Sequence, residues 1–313
     1  MNADAPKTPR TIAEYLEQLR AALRGADPAL IQDALYDAEE HLRAELAEQP
    51  GRNEAEMLAK VVGSYGAPEE VAEIYRDQEI KVQRALRSPR PPKQRSPLGK
   101  FFGVAADPHT YGALFYMVLA LATGIFYFTW AITGISLSMG LAVLIIGIPF
   151  AVLFLGTVRV LSLVEGRIVE TMLGVRMPRR PTFSTRGMSF WQRIGTMFSD
   201  PRTWSTLFYM FLMLPLGIIY FTITITFLST SLALALAPFG KIYLDEAGIP
   251  YGSCDGPVAL CNWVHWWSTW PGTICASLVG IAMLFATLHV VRAIGYMHGQ
   301  IAKHLLVTGA PTE

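Results

Sequence analysis

A repeat inside the apolar half of the chain constrains its fold more than any other feature. The run from Asp107 to Ser136 aligns without gaps with the run from Asp200 to Ser229, and 17 of the 30 aligned positions are identical. Shared composition alone does not give two apolar helices that much identity. Both copies begin with Asp-Pro and continue into a long apolar run. The sequence therefore predicts a duplicated membrane unit, since internal repeats indicate a repeated supersecondary structure.

Four apolar stretches are long enough to cross a bilayer, which takes about 20 residues. They are Tyr111–Gly134, Leu137–Val158, Trp204–Ala237 and Gly272–Val291. We expect a tight turn around Gly134-Ile135-Ser136 to join the first two spans into a hairpin. Glu165-Gly166 after the second span corresponds to His298-Gly299 after the fourth, so the repeat continues beyond its clearest part. The pattern predicts a four-helix membrane domain built from two parallel helical-hairpin repeats.

The charges divide the chain into two parts. Residues 1–80 contain 8 Lys and Arg against 17 Asp and Glu, a net charge of −9, and the remaining residues have a net charge of +10. Apolar residues at helical spacing in the acidic part predict four amphipathic helices. The predicted fold class is therefore all-α. Its parts are an acidic cytoplasmic helical domain (1–80), a basic proline-rich linker (81–100), and a four-span domain (101–313) with an outer loop (238–271).

Basic residues predict the orientation in the membrane. The linker holds seven Lys and Arg and no acidic residue, and the segment between the second and third spans is rich in arginine, whereas the outer loop has one Lys against three acidic residues. Because positive segments stay in the cytoplasm, we expect both termini there. Lys93, Arg95, Arg179 and Arg180 are assigned to this topological role, and binding of anionic lipid headgroups is the alternative.

Polar residues at corresponding positions of the two copies have structural interpretations. Asp107 and Asp200 precede proline at a helix start, where a carboxylate caps free amides. Hydroxyl side chains lie on one face of each copy, spaced i, i+4, i+7, which predicts a helix-packing seam rather than a polar path. The seam residues are Thr129, Thr133, Ser136, Thr222, Thr226 and Ser229.

The outer loop is the candidate sensing surface. Its candidate residues are Trp263, His265, Trp266, Trp267 and Trp270. Tryptophan also anchors membrane interfaces, and anchoring is the simpler interpretation. Cys254 and Cys261 could close a disulfide outside the cell. With His265 they supply only three metal ligands at an uncommon spacing, so we expect no metal site.

Two parts of the chain resemble known families. Tyr15–Arg20 together with Gly63–Ala72 resembles the HAAS signalling domain, over about residues 10–80. Asp-Pro-x-Thr followed by Leu-Phe-Tyr-Met, with Arg159 and Glu165 before Leu173-Gly174, resembles the bacterial "putative sensor" membrane domain, over about residues 100–308. The first resemblance implies association with PadR-type transcriptional regulators, and the second implies sensing.

The motifs and resemblances predict a signalling function. No phosphate-binding loop, nucleophile elbow or paired metal ligands occur, so we expect no enzyme activity and no cofactor. We expect a sensor in the bacterial inner membrane that couples the bilayer or the outer loop to a cytoplasmic partner through the N-terminal domain. The expected partners are membrane lipids and a PadR-like regulator, without direct nucleic-acid binding. A transporter or accessory membrane subunit is one alternative, and a structural protein that binds anionic lipid is another.

Overall fold

The computed structural model describes residues 8–48, 53–86, 96–143, 146–180, 190–248 and 258–307. Every regular element in these ranges is helical, which confirms the all-α class. Four of the helices are long and apolar enough to cross a membrane. The contacts divide the chain into two compact units. The first comprises Met1–Arg87, Tyr127–Leu212 and His298–Glu313, and the second comprises Ser88–Phe126 and Met213–Met297.

Four helices form the N-terminal part of the first unit. They are α1 (Ile12–Ala22), α2 (Pro28–Glu48), α3 (Glu54–Tyr65) and α4 (Pro68–Leu86). Helix caps fix where the first two begin, because the first amides of a helix need acceptors. The Thr11 hydroxyl accepts the Glu14 backbone N–H at 3.1 Å, and Asp27 Oδ1 accepts the Ala29 backbone N–H at 2.9 Å.

The N-terminal helices share one apolar core. Its fully buried members include Tyr15, Leu19, Leu42 and Met57, one or more from each of α1, α2 and α3. The Tyr15 hydroxyl donates to the Gly66 carbonyl at 2.9 Å, which satisfies the one polar atom of this buried side chain. Gly66 joins α3 to α4 with a φ of +110°, a conformation that favours glycine.

The apolar half of the chain is mainly helical where it is described, with an irregular segment at 174–180. Its helices are α5 (Pro97–Phe102), α6 (Pro108–Leu141), α7 (Gly147–Leu173), α8 (Phe190–Ser199), α9 (Pro201–Ala235), α10 (Ala237–Glu246), α11 (Val258–Ser268) and α12 (Trp270–Leu306), with a 3-10 turn at Gly103–Ala106 after α5. The four candidate spans are α6, α7, α9 and α12. The described parts of the predicted outer loop are therefore mainly the helices α10 and α11, together with the first residues of α12.

The predicted turn at Gly134-Ile135-Ser136 is wrong, because α6 continues through these residues to Leu141. Gly134 lies in contact with the ring of Phe154 on α7, and a Cβ at this position would overlap that ring. The glycine therefore serves close helix packing rather than a turn. Nearby, the Trp130 indole N–H donates to the Thr157 hydroxyl at 3.0 Å, so α6 and α7 do pair as a hairpin.

Small residues bring α6 and α9 close together inside the second unit. A Cβ added at Gly124 would lie 2.5 Å from the Met213 carbonyl oxygen, and one at Gly217 would collide with the Ala120 carbonyl. In order along α6, the contacts pair Met117 with Thr224, Ala120 with Gly217 and Gly124 with Met213. Residue numbers rise on α6 as they fall on α9, so these segments run antiparallel. The predicted parallel relation of the hairpins is not confirmed, since similarity of sequence sets correspondence and not direction.

The predicted seam lies on the exposed faces of α6 and α9. All six hydroxyl residues are exposed: Thr129, Thr133, Ser136, Thr222, Thr226 and Ser229. Tyr127 and Ala131 on α6, and the corresponding Tyr220 and Thr224 on α9, are buried instead. Ser229 donates to the Thr226 carbonyl of its own helix at 3.2 Å, as helical hydroxyl groups can, and a helix-packing role for the six residues stays a prediction.

Candidate functional site

Asp33 of α2 holds the irregular segment that follows α7, within the first unit. Its Oδ1 accepts the backbone N–H groups of Arg179 and Arg180 at 2.6 and 2.8 Å. Its Oδ2 accepts the Arg176 guanidinium at 3.0 Å. Burial raises the pKa of Asp33 above its ordinary value, while the amides and Arg176 oppose that rise. One buried carboxylate thus binds both the backbone and a side chain of the same segment.

Arg176 joins three helices at one buried guanidinium. Besides Asp33 on α2, it contacts Glu79 on α4 at 3.2 Å and Glu170 on α7 at 3.4 Å. The side chain is 8 % exposed. Burial by itself would lower the pKa of Arg176, but the three carboxylates outweigh this effect and the pKa is raised. Arg176 therefore keeps its charge, and its position depends on α2, α4 and α7 together.

Further polar contacts tie the N-terminal helices to other parts of the first unit. The Gln32 side-chain amide donates to the Arg180 carbonyl at 2.6 Å, and its oxygen accepts from Arg202 at the start of α9, also at 2.6 Å. Lys303 near the end of α12 pairs with Asp27. The beginning of α9 and the end of α12 thus contact the same N-terminal helices as the segment after α7.

Arg179 and Arg180, which were predicted to set the membrane topology, also bind within this junction between the N-terminal helices and the segment after α7. Arg180 pairs with Asp37 at 2.9 Å, and Arg179 approaches Glu170 at 3.4 Å. Their side chains are about half exposed, at 51 % and 46 %. Beside them opens a cleft of about 360 Å³. Its charged lining residues are Asp33, Asp37, Glu79, Arg167, Arg176, Arg179 and Arg180. The other two assigned cations, Lys93 and Arg95, lie outside the described residues.

A second polar cluster is buried among the apolar helices of the first unit. Glu165 on α7 accepts the hydroxyl groups of Tyr127 at 2.8 Å and Tyr209 at 2.9 Å. The Tyr209 hydroxyl also lies 3.0 Å from His298 Nε2. All four side chains are buried. The matched positions of Glu165 and His298 in the repeat were the only sequence signal for this cluster.

Asp107 and Asp200 each make two kinds of contact. One carboxylate oxygen accepts the backbone N–H two residues later, at 3.1 and 3.0 Å respectively, as a capping residue does. The other oxygen pairs with an arginine: Asp107 with Arg292 at 2.7 Å in the second unit, and Asp200 with Arg159 at 3.1 Å in the first. The sequence analysis did not predict these ion pairs.

The cysteines of the outer loop cannot be placed against each other. Cys254 lies outside the described residues, and of Cys261 and Trp263 only the helical backbone of α11 is described. The predicted disulfide therefore stays a prediction. Among the described residues, no group of three His, Cys, Asp or Glu side chains is arranged to hold a metal ion.

The remaining candidate sensing residues lie where α11 meets α12. His265, Trp266 and Trp270 are exposed, and Trp267 is half-buried. The Trp266 and Trp267 rings meet edge to face, with centroids 4.8 Å apart. The Lys241 ammonium lies 5.5 Å from the Trp270 ring centroid, within cation–π range. A role in sensing stays a prediction for all of them.

The long apolar helices and the helical N-terminal region define a multi-pass membrane protein with a helical module ahead of its spans. The sequence model of a family described as "Putative sensor" matches residues 116–306, more than half of the chain, so the chain belongs to this family. A model described as HAAS matches residues 14–74. Both predicted resemblances are confirmed in their predicted order, and the combination fits a membrane sensor or signalling role. No curated protein and no solved structure matches the chain.

Proposed function

We propose that this membrane sensor passes a change in its apolar helices to a cytoplasmic protein through α1–α4, the HAAS helices. The observation that carries the proposal is Arg176, buried among Asp33, Glu79 and Glu170. Two of these carboxylates belong to the HAAS helices, and the third belongs to the candidate span α7. A movement of α7 therefore changes the environment of the HAAS helices directly.

Helix α7 links the two buried polar sites. Glu165 belongs to the tyrosine–histidine cluster and Glu170 to the Arg176 network. The two residues are about 7.5 Å apart along the helix axis, from a rise of 1.5 Å per residue. A rotation or shift of α7 thus disturbs both sites at once. Packed interfaces tend to have discrete arrangements, which is what transmission of a signal requires.

The proposed partner is a PadR-like transcriptional regulator, by the resemblance of the N-terminal region. The acidic HAAS helices would repel nucleic-acid phosphates, so we propose that contact with DNA is left to the partner. The test is capture of a purified PadR-type regulator by the chain in lipid nanodiscs. Deletion of residues 1–80 is expected to abolish capture while the remaining chain still inserts. Equal capture by the deleted chain would refute the proposal.

We further propose that the protein resides in the bacterial inner membrane with both termini cytoplasmic. The contacts Arg202–Gln32 and Lys303–Asp27 support this, because the start of α9 and the end of α12 meet the same N-terminal helices. Single cysteines near the termini, in a cysteine-free background, are expected to resist a membrane-impermeant reagent in intact cells. A cysteine at Val143, which is 89 % exposed, tests the direction of α6. Labelling from outside supports both the cytoplasmic N-terminus and the parallel repeats, and labelling only after lysis would contradict them.

The buried cluster around Glu165 favours one second candidate, a transporter coupled to protons. Ionisable residues among membrane helices often mark ion or proton routes. We propose that the cluster is structural, that the chain moves no solute and that it catalyses no reaction. Proteoliposomes with an internal pH dye are expected to show no proton flux above that of empty liposomes. Flux lost on Glu165→Gln would establish the transporter instead.

A further inference from the structure

We propose that the surface formed by α2 and α4 is a binding site for an extended segment that carries arginine. Residues 176–180 of the chain occupy this site, and a cytoplasmic partner would compete for it with a segment of the same kind. The idea deepens the proposed function, because it names the surface and the chemistry that the partner needs. In the described structure the site is thus masked by the chain itself.

The site binds the backbone of its occupant through hydrogen bonds. Asp33 accepts two successive N–H groups, those of Arg179 and Arg180, and Gln32 donates to the Arg180 carbonyl. The segment after α7 is not helical at these residues, so its amides and carbonyls are free to face α2. Backbone groups are common to all sequences. This part of the site therefore accepts any chain that arrives extended in the same direction.

The site selects side chains at two positions. Glu79 and Asp33 pair with Arg176 in a buried setting, and Asp37 pairs with Arg180 at the rim. The Arg180 guanidinium also lies 5.9 Å from the centroid of the Tyr36 ring. A planar guanidinium group binds carboxylates and stacks on aromatic rings better than the ammonium group of lysine does. The preferred occupant therefore has two arginines four residues apart.

Replacement of the bound segment by a competitor is more favourable than loss of the segment with nothing in its place. When the bound segment leaves, Asp33 and Glu79 lose Arg176, their buried partner. Breaking a buried ion pair is strongly destabilising. A competitor of the same chemistry replaces that partner. The half-exposed side chains of Arg179 and Arg180, and the adjoining cleft, give such a competitor a place to begin.

The test uses a fluorescent peptide with the sequence of residues 174–182 and the full chain in nanodiscs. The doubly substituted Arg176→Gln, Arg180→Gln chain opens the site and is expected to bind the peptide at least tenfold more tightly than the unaltered chain. Adding Asp33→Asn is expected to reverse that gain. A scrambled peptide of equal charge is expected to bind weakly. The matched control is Arg24→Gln, which removes an exposed arginine outside the lining of the cleft and is expected to leave the site closed.

A second measurement does not depend on the folding of any variant. Excess peptide added to the unaltered chain is expected to speed amide hydrogen exchange at Arg179 and Arg180, because their N–H groups lose Asp33. Unchanged exchange, equal binding to the closed and open chains, or equal binding of the scrambled peptide overturns the masked site. These results do not depend on a regulator. Capture of a PadR-type regulator without peptide binding would leave the proposed function standing and remove this surface from it.

Discussion

Replacing Arg176 by glutamine is expected to release the HAAS helices from the segment after α7. Glutamine keeps much of the length and a hydrogen-bonding end but loses the charge. Asp33, Glu79 and Glu170, which lie 3.0 to 3.4 Å from the guanidinium, then face one another without a cation at their centre. Like charges close together in a buried site repel, so the docked arrangement is the one that suffers.

The size of the effect follows from burial. Removing one partner of a buried ion pair costs about 3–5 kcal/mol. Arg176 is only 8 % exposed, so water screens the loss little. Because about 1.4 kcal/mol is a factor of ten, the ratio of docked to released protein falls by roughly two to three and a half powers of ten. Asp33→Asn is expected to cost less by itself, since an amide oxygen still accepts the two backbone N–H groups.

Hydrogen exchange measured by mass spectrometry reads the docking equilibrium directly. The amides of Arg179 and Arg180 are protected by Asp33 only when the segment is docked. Their exchange in Arg176→Gln is expected to accelerate by the same factor as the docked population falls. The matched Arg24→Gln chain, which loses an exposed charge, is expected to change by less than tenfold, since exposed charges contribute about 0–1 kcal/mol.

A double-mutant cycle separates charge pairing from general damage. The chain with both Arg176→Gln and Asp33→Asn is expected to lose less protection than the two single changes added together, because each removes the partner of the other. Strict additivity would show that the two groups do not act on each other. Unchanged protection in Arg176→Gln would refute the central role given to this arginine.

Three further outcomes test the packing of the two units. Tyr15→Phe removes the hydrogen bond to Gly66 and is expected to cost about 1–3 kcal/mol, because a carbonyl loses its partner; pulse proteolysis of the N-terminal region in urea measures this. Burial raises the pKa of Tyr15, so the folded state holds its proton more tightly than the unfolded state, and stability present below about pH 10 is lost as the pH rises further. That alkaline loss is expected to be smaller in Tyr15→Phe, and an equal loss would contradict the assignment. Gly217→Val is expected to lower the thermal midpoint in detergent through overpacking of about 1–3 kcal/mol, whereas Gly140→Val, at a site where a Cβ meets nothing within 4 Å, is expected to be tolerated.

The sequence was a good guide to helices and a poor guide to what lies between them. Periodic apolar residues and the caps at Thr11 and Asp27 predict the N-terminal helices, because these signals act over a few residues. The four spans follow from length and hydropathy alone. The end of the first span did not follow, because Gly134 serves equally well in a turn or against the ring of Phe154, and only the neighbouring helix decides which.

The junction itself could not be predicted for a similar reason. The opposite charges of the two halves indicate attraction, but not which of many acids meets which arginine. Asp33 and Arg176 are far apart in the chain, and neither stands out from its neighbours in composition. Arg179 and Arg180 were assigned to topology because a count of positive charges is informative about a membrane even when their individual partners are unknown.

The ion pairs at the starts of α6 and α9 have a consequence for the order in which the protein assembles. Each pair takes its aspartate from one copy of the repeat and its arginine from the other. During synthesis Asp107 emerges early, while Arg292 emerges only with α12, after both the second hairpin's first span and its outer loop. The first hairpin therefore cannot form either of these ion pairs before the second copy has been synthesised. A chain cut between the two copies would lose both the Asp107–Arg292 and the Asp200–Arg159 ion pairs, so each copy by itself is expected to be less stable in the membrane than the joined chain.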